Sequence, residues 1–103
     1  MESFALTEAV FYVLLSLYQP LHGYGIMQKV ESMSNSRVRL AAGTLYGALS
    51  SMVEKGWITA LSGESNSRKK EYVITGQGRQ VAANELKRLQ ELVANGQSII
   101  EER

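Results

Sequence analysis

The sequence has no cysteine and no aspartate, one proline (Pro20) and one histidine (His22). Without cysteine there is no disulfide scaffold, no thiolate zinc site and no cysteine nucleophile. Without aspartate a Ser-His-Asp triad lacks its third member. No acid–base pair, nucleophile–base pair or metal cluster is visible, so the sequence does not read as an enzyme and implies no cofactor. No apolar run reaches the roughly 18 residues of a membrane span, and no basic-then-apolar leader stands at the start. The chain therefore reads as soluble and cytoplasmic.

Charge is scarce as well: the formal net charge is +1, from 11 basic residues against 10 glutamates. This excludes a disordered polyelectrolyte and a grossly basic tail. The average hides a gradient, because residues 37–70 carry a net +4 and both flanks are negative. At 103 residues the chain is one domain, and its 45% apolar content supports only a small core. Chains this short often complete their burial by oligomerising.

The first expected helix runs from Thr7 to Tyr18, with Thr7 as cap, Glu8 in the first turn and Pro20 as stop. It has almost no polar face. In so small a domain one side faces the core and the other calls for a second chain, with a buried central helix in a monomer as the alternative. A second helix, from about Gly23 to Met33, places Ile26, Met27 and Val30 on one face. Arg37-Val38-Arg39-Leu40 alternates as a short half-buried strand does, with both arginines outward.

A third helix, from about Gly43 to Lys55, ends at Gly56 in the C′ position. Leu45, Leu49, Met52 and Val53 form its buried stripe. The opposite face carries Tyr46, Gly47, Ser50, Ser51 and Glu54 and is nearly free of long side chains. A mid-helix glycine costs about 1 kcal/mol relative to alanine, and close approach of another surface would account for Gly47.

Two strands follow, Trp57–Leu61 and Tyr72–Thr75, joined by a polar tip with three adjacent cations, Arg68, Lys69 and Lys70. The last helix runs from Gly76 to about Glu101, capped by Thr75. Ala82, Leu86, Leu89, Val93, Gly96 and Ile100 form a heptad-like seam widened by Leu92 and Ile99. Among single residues, His22 reads as a cap, Trp57 as core rim, Tyr72 as inward, and Tyr24 as packed between helices.

Three helices followed by a hairpin and a long helix give a mainly α fold with a β-hairpin wing, the winged helix-turn-helix arrangement. The expected DNA contacts are Thr44, Tyr46, Gly47, Ser50 and Ser51 on a recognition helix of about 43–55, entering a groove about 12 Å wide. Arg68, Lys69 and Lys70 on a wing of about 62–71 would neutralise phosphates. The expected dimer interface comprises Val10, Leu14 and Leu17 from the first helix and Leu86, Leu89, Val93 and Ile100 from the last. A winged-helix module that binds proteins and not DNA is the competing class.

Leu21-His22-Gly23-Tyr24-Gly25-Ile26, Gly43-Thr44-Leu45-Tyr46-Gly47-Ala48-Leu49, Glu54-Lys55-Gly56-Trp57-Ile58 and Arg68-Lys69-Lys70-Glu71-Tyr72-Val73-Ile74-Thr75 with Gly78 stand in order. With these blocks the sequence resembles the PadR family of bacterial transcriptional regulators, in its shorter form with a single helix after the wing. The resemblance implies a homodimer on double-stranded operator DNA, usually a repressor, with residues 1–75 as the DNA-binding part and 76–103 as the dimerisation helix. It departs from the family at Gly47, where proline is frequent, and at Glu71 and Val73, where cationic or aromatic residues are. Some relatives bind aromatic or amphipathic effectors between subunits through aromatic side chains of the last helix. Residues 76–103 contain no aromatic, so a pocket here would draw on Phe11, Tyr12 and Tyr18 instead, with plain core and interface packing as the alternative for these three.

Overall fold

The computed structural model describes residues 5–61 and 70–101. Thr7 starts α1 (Glu8–Ser16): its hydroxyl accepts the Val10 N–H, and Glu8 occupies the first turn. The helix stops earlier than Tyr18 because the Leu17 carbonyl accepts the Ile74 N–H at 2.8 Å, which pulls the chain towards the sheet. A two-residue strand, β1 (Leu21–His22), follows. His22 then caps α2 (Gly23–Met33) through Nδ1, which accepts the Gly25 N–H at 3.2 Å.

Next come α3 (Ala42–Glu54), β2 (Ile58–Ala60), β3 (Glu71–Ile74) and α4 (Gly76–Ile100). Gly56, at φ +81°, makes the left-handed turn that releases the chain from α3. The sheet order is β1-β3-β2, antiparallel throughout, with Leu21 opposite Tyr72 and Ile58 opposite Ile74. Tyr72 and Ile74 point inward, as strand alternation requires. Val13, Leu14 and Leu17 of the first helical segment meet Ile26 and Val30 of α2, Leu45, Leu49 and Met52 of α3, and Ile58, Tyr72 and Ile74 of the sheet. This is the winged-helix arrangement expected from the element order.

Three expectations are corrected. Residues 37–40 form no strand; the third strand of the sheet is β1 instead. Asn35 and Ser36, both left-handed at φ 53° and 66°, swing the chain away after α2, and the Ser34 hydroxyl accepts the Val38 N–H at 2.9 Å. Val38 and Leu40 still pack on the core, so the alternation is real but has no neighbouring strand. Val53 is exposed, because it lies about 80° round the helix from Leu45, at the edge of the buried stripe. Tyr24, expected between helices, is 63% exposed.

α4 spans 25 residues, about 37 Å of helix. Its first half packs on α1 and β3, and from Gln90 on its residues are largely exposed. The radius of gyration is 15.3 Å, above the roughly 13 Å of a compact chain of this length. Among the described residues no helix is long and apolar enough to cross a membrane.

Two polar devices fix α4. Thr75 Oγ1 accepts the Gly78 N–H at 3.0 Å and donates to the Gly56 carbonyl at 2.7 Å, while the Thr75 N–H bonds the Trp57 carbonyl at 2.9 Å. Further along the helix, the Glu85 carboxylate is buried and receives two hydrogen bonds from Arg88, at 2.6 and 2.9 Å. The Arg88 guanidinium holds the Glu85 carboxyl below the usual carboxylate range against the opposing effect of burial, and the Leu6 N–H adds to this.

Thr75→Ala removes the cap and the hydroxyl's bond to the Gly56 carbonyl and should cost about 1–2 kcal/mol in urea unfolding. Gly78→Ala drives a methyl against the Trp57 carbonyl and to 2.7 Å from Ile74 Cγ1, and should cost about as much or more. Because folding lowers the Glu85 pKa, its contribution is complete above about pH 4.5 and is lost as pH falls through the depressed value. Glu85→Gln should therefore be less stable than wild type at neutral pH, with the gap in melting temperature closing below about pH 4.

Candidate nucleic-acid interface

The buried stripe of α3 is Leu45, Leu49 and Met52. Helical geometry then turns Gly43, Thr44, Gly47 and Ser50 outward, and all four are exposed. An added Cβ at Gly43 or Gly47 would meet nothing within 4 Å. Among the described residues no packing demands these glycines, and the result is a low ridge with hydroxyls at Thr44 and Ser50. Ser51 is half-buried at the flank, where its Oγ accepts from Lys55 Nζ at 3.4 Å. Lys55 in turn lies 5.2 Å over the Trp57 ring.

The N-termini of α1, α2 and α4 are capped by Thr7, His22 and Thr75, but α3 starts after Ala41, which has no side chain able to accept. Its first N–H groups thus receive no cap from Ala41, at the edge of the small-residue ridge.

Tyr46 departs from the outward group. It is half-buried and packs against the core, with its hydroxyl end turned to Gly23 at the start of α2. The buried phenol of Tyr72, raised in pKa by desolvation and by the nearby Tyr46, stands at the same junction.

The arginines before α3 do not form a free positive surface. Arg37 pairs with Glu8, which raises its pKa, and Arg39 lies 3.6 Å from Glu31. Both pairs are solvent-exposed and contribute little stability, but they cancel the local charge. Of the wing cations, Lys70 is half-buried just before β3, while Arg68 and Lys69 lie outside the described residues.

The expected interface residues divide. Leu14 and Leu17 are fully buried inside the protomer and unavailable to a partner, and half-buried Val10 packs on the same core. They share the core face of the segment, whereas Phe11, Leu15 and Tyr18 lie on the other side. Leu86, Val93 and Ile100 are 50%, 57% and 83% exposed, and Leu89 is half-buried between α1 and the free part of α4. Leu92 and Ile99 are exposed as well.

Phe11 and Tyr12 share a cleft of about 340 Å³ with Leu6, Glu8, Glu85 and Leu89. Tyr18 is not part of it; its ring lies 4.4 Å under Arg79. Sequence reasoning missed Glu85. Its signal, an arginine three residues on along one helix face, also describes countless exposed pairs.

Comparison with solved structures shows the same fold. A PadR family transcription regulator from Clostridium difficile superposes with a TM-score of 0.70 at 23% identity, over 90% of this chain and 97% of the other. A PadR family regulator from Eggerthella lenta gives 0.67 at 23% identity, over 90% and 80%. A transcriptional regulator from Clostridium thermocellum gives 0.66 at 20% identity, over 91% and 90%. No curated protein matches the sequence. Residues 10–84, from α1 into α4, match the family described as transcriptional regulator PadR-like, and the chain belongs to that family: it is a transcriptional regulator, not an enzyme.

Proposed function

We propose that the protein is a homodimeric repressor that inserts α3 into the major groove of operator DNA and lays the hairpin tip on the phosphate backbone. The observation that carries this reading is the outward face of α3. Gly43, Thr44, Gly47 and Ser50 leave the helix backbone within reach of base edges, with hydroxyls to bond them. The uncapped first turn suits a phosphate, since a helix N-terminus offers N–H groups and a positive dipole end. Thr44, Gly47, Ser50 and Ser51 read or approach the groove. Arg68, Lys69 and Lys70 supply the backbone charge.

Dimerisation is supported by the apolar residues that α4 leaves uncovered. Leu86, Leu92, Val93, Ile99 and Ile100 run along the part of the helix that projects from the domain. A helix with such a stripe is stable in water when a second surface covers it. A second copy brings an identical stripe, and a two-fold pair of α3 helices would meet half-sites about 10 bp apart.

A gel shift with a duplex from upstream of the protein's own gene tests the reading. Retardation that weakens steeply with salt is expected, because binding to phosphates releases counterions. Replacing Arg68, Lys69 and Lys70 together by alanine should weaken binding to every sequence and lower the salt slope by about one for each phosphate these cations neutralise. An unchanged slope would take the tip off the phosphates. Sedimentation should show a dimer at micromolar concentration that Leu86→Glu with Val93→Glu converts to monomer; a monomeric wild type would overturn the dimer.

A further inference from the structure

Gly23 is buried at the first position of α2. Its φ does not require glycine, since among the described residues the one glycine with positive φ is Gly56. Space requires it instead. A Cβ at Gly23 would collide with the Tyr46 hydroxyl and lie 2.8 Å from Cζ and 3.4 Å from Cε1 of the same ring. The phenol end of Tyr46 thus rests on the bare Cα of Gly23.

The seat lies at a junction of three elements. Tyr46 belongs to α3, between outward Gly43 and Gly47 on one side and buried Leu45 and Leu49 on the other. Gly23 opens α2 and directly follows His22, which pairs with Glu71 of the wing strand β3. Tyr72, next along β3, is buried within the electrostatic reach of Tyr46. A tyrosine ring has two side-chain torsions and transmits position well. The ring thus spans from α3 to the start of α2.

We infer that Tyr46 is a positioning residue for DNA recognition: seated on Gly23, its ring sets the angle and height at which α3 presents Thr44, Gly47 and Ser50 relative to the wing. This rests on the DNA-binding reading above. It assigns the ring, and not a hydroxyl–DNA bond, as the reason for tyrosine at this position. A methyl at Gly23 forces the ring off its seat or tilts α3, and displacements near 1 Å are enough to spoil hydrogen-bond geometry at a binding surface.

The test is a double-mutant cycle with Gly23→Ala and Tyr46→Leu, plus Tyr46→Phe alone. Affinity for the upstream duplex is measured by fluorescence anisotropy, and folding by circular dichroism melting of the same full-length proteins. Tyr46→Phe should bind within about twofold of wild type. Gly23→Ala should lose about tenfold or more at a temperature where it is fully folded, and should lose less than about twofold on the Tyr46→Leu background.

An equal loss from Gly23→Ala on both backgrounds, no loss at all, or a tenfold loss from Tyr46→Phe overturns the proposal. A Gly23→Ala variant that melts lower yet binds like wild type when folded also overturns it, because the Gly23–Tyr46 packing is then stabilising only. Should the wild type fail to bind any duplex, the DNA reading falls and this role with it. Coupling of the two sites in melting temperature would then still separate that failure from an absence of Gly23–Tyr46 packing.

Discussion

Gly78 lies so close beneath the Trp57 carbonyl that no side chain fits between α4 and the exit of α3. That approach lets Thr75 act in several directions at once. Its hydroxyl caps α4 and bonds the Gly56 carbonyl, and its N–H bonds the Trp57 carbonyl. One residue earlier, the Ile74 N–H reaches the Leu17 carbonyl at the end of α1. The first helix, the exit of α3, the sheet and the last helix are therefore tied within two consecutive residues, Ile74 and Thr75. Left without partners, these buried and half-buried backbone groups would be costly in a core this small.

From that knot the molecule extends two ways. Towards α3, Gly56 turns the chain in the left-handed conformation, and the buried stripe Leu45, Leu49 and Met52 leaves small residues outside. Towards the far end, α4 leaves the domain after Leu89, with apolar side chains uncovered. The Glu85–Arg88 pair and the Leu6 N–H fix the last turn of α4 that the protomer itself covers. The surface proposed to read DNA and the surface proposed to pair subunits thus share one rigid attachment. Two copies would hold their α3 helices at a spacing set by α4.

Much of this was legible in the sequence, for identifiable reasons. Caps at Thr7, His22 and Thr75 and the stop at Gly56 depend on local chemistry, which short stretches of chain contain in full. Periodicity showed that α1 and α4 are apolar, but not which flank of α1 the rest of the chain covers. Leu14 and Leu17 went to the core while Phe11 and Leu15 stayed at the edge. The alternation at Arg37–Leu40 looked like a strand because Val38 and Leu40 do face the core; the left-handed pair before them removed any pairing partner. β1 has two residues, too few for any pattern, and exists only because β3 lies beside it. The packing of Tyr46 on Gly23 joins residues far apart in sequence and leaves no periodic trace.

The charge distribution explains why such positioning carries weight. Residues 37–70 carry a net +4, but Arg37 and Arg39 are each matched by a glutamate from an earlier helix, and Lys55 lies along Trp57. Of the other cations in this stretch, Lys70 is followed by Glu71, and Arg68 and Lys69 lie outside the described residues. A DNA-binding chain with a formal net charge of only +1 draws less from counterion release than a strongly basic one. On the proposed DNA reading, more of its discrimination then rests on the fit of a short, small-residue helix face in the groove. Fit of that kind needs a helix held at a fixed height, and a ring seated on a bare Cα holds it without drawing on the scarce charge.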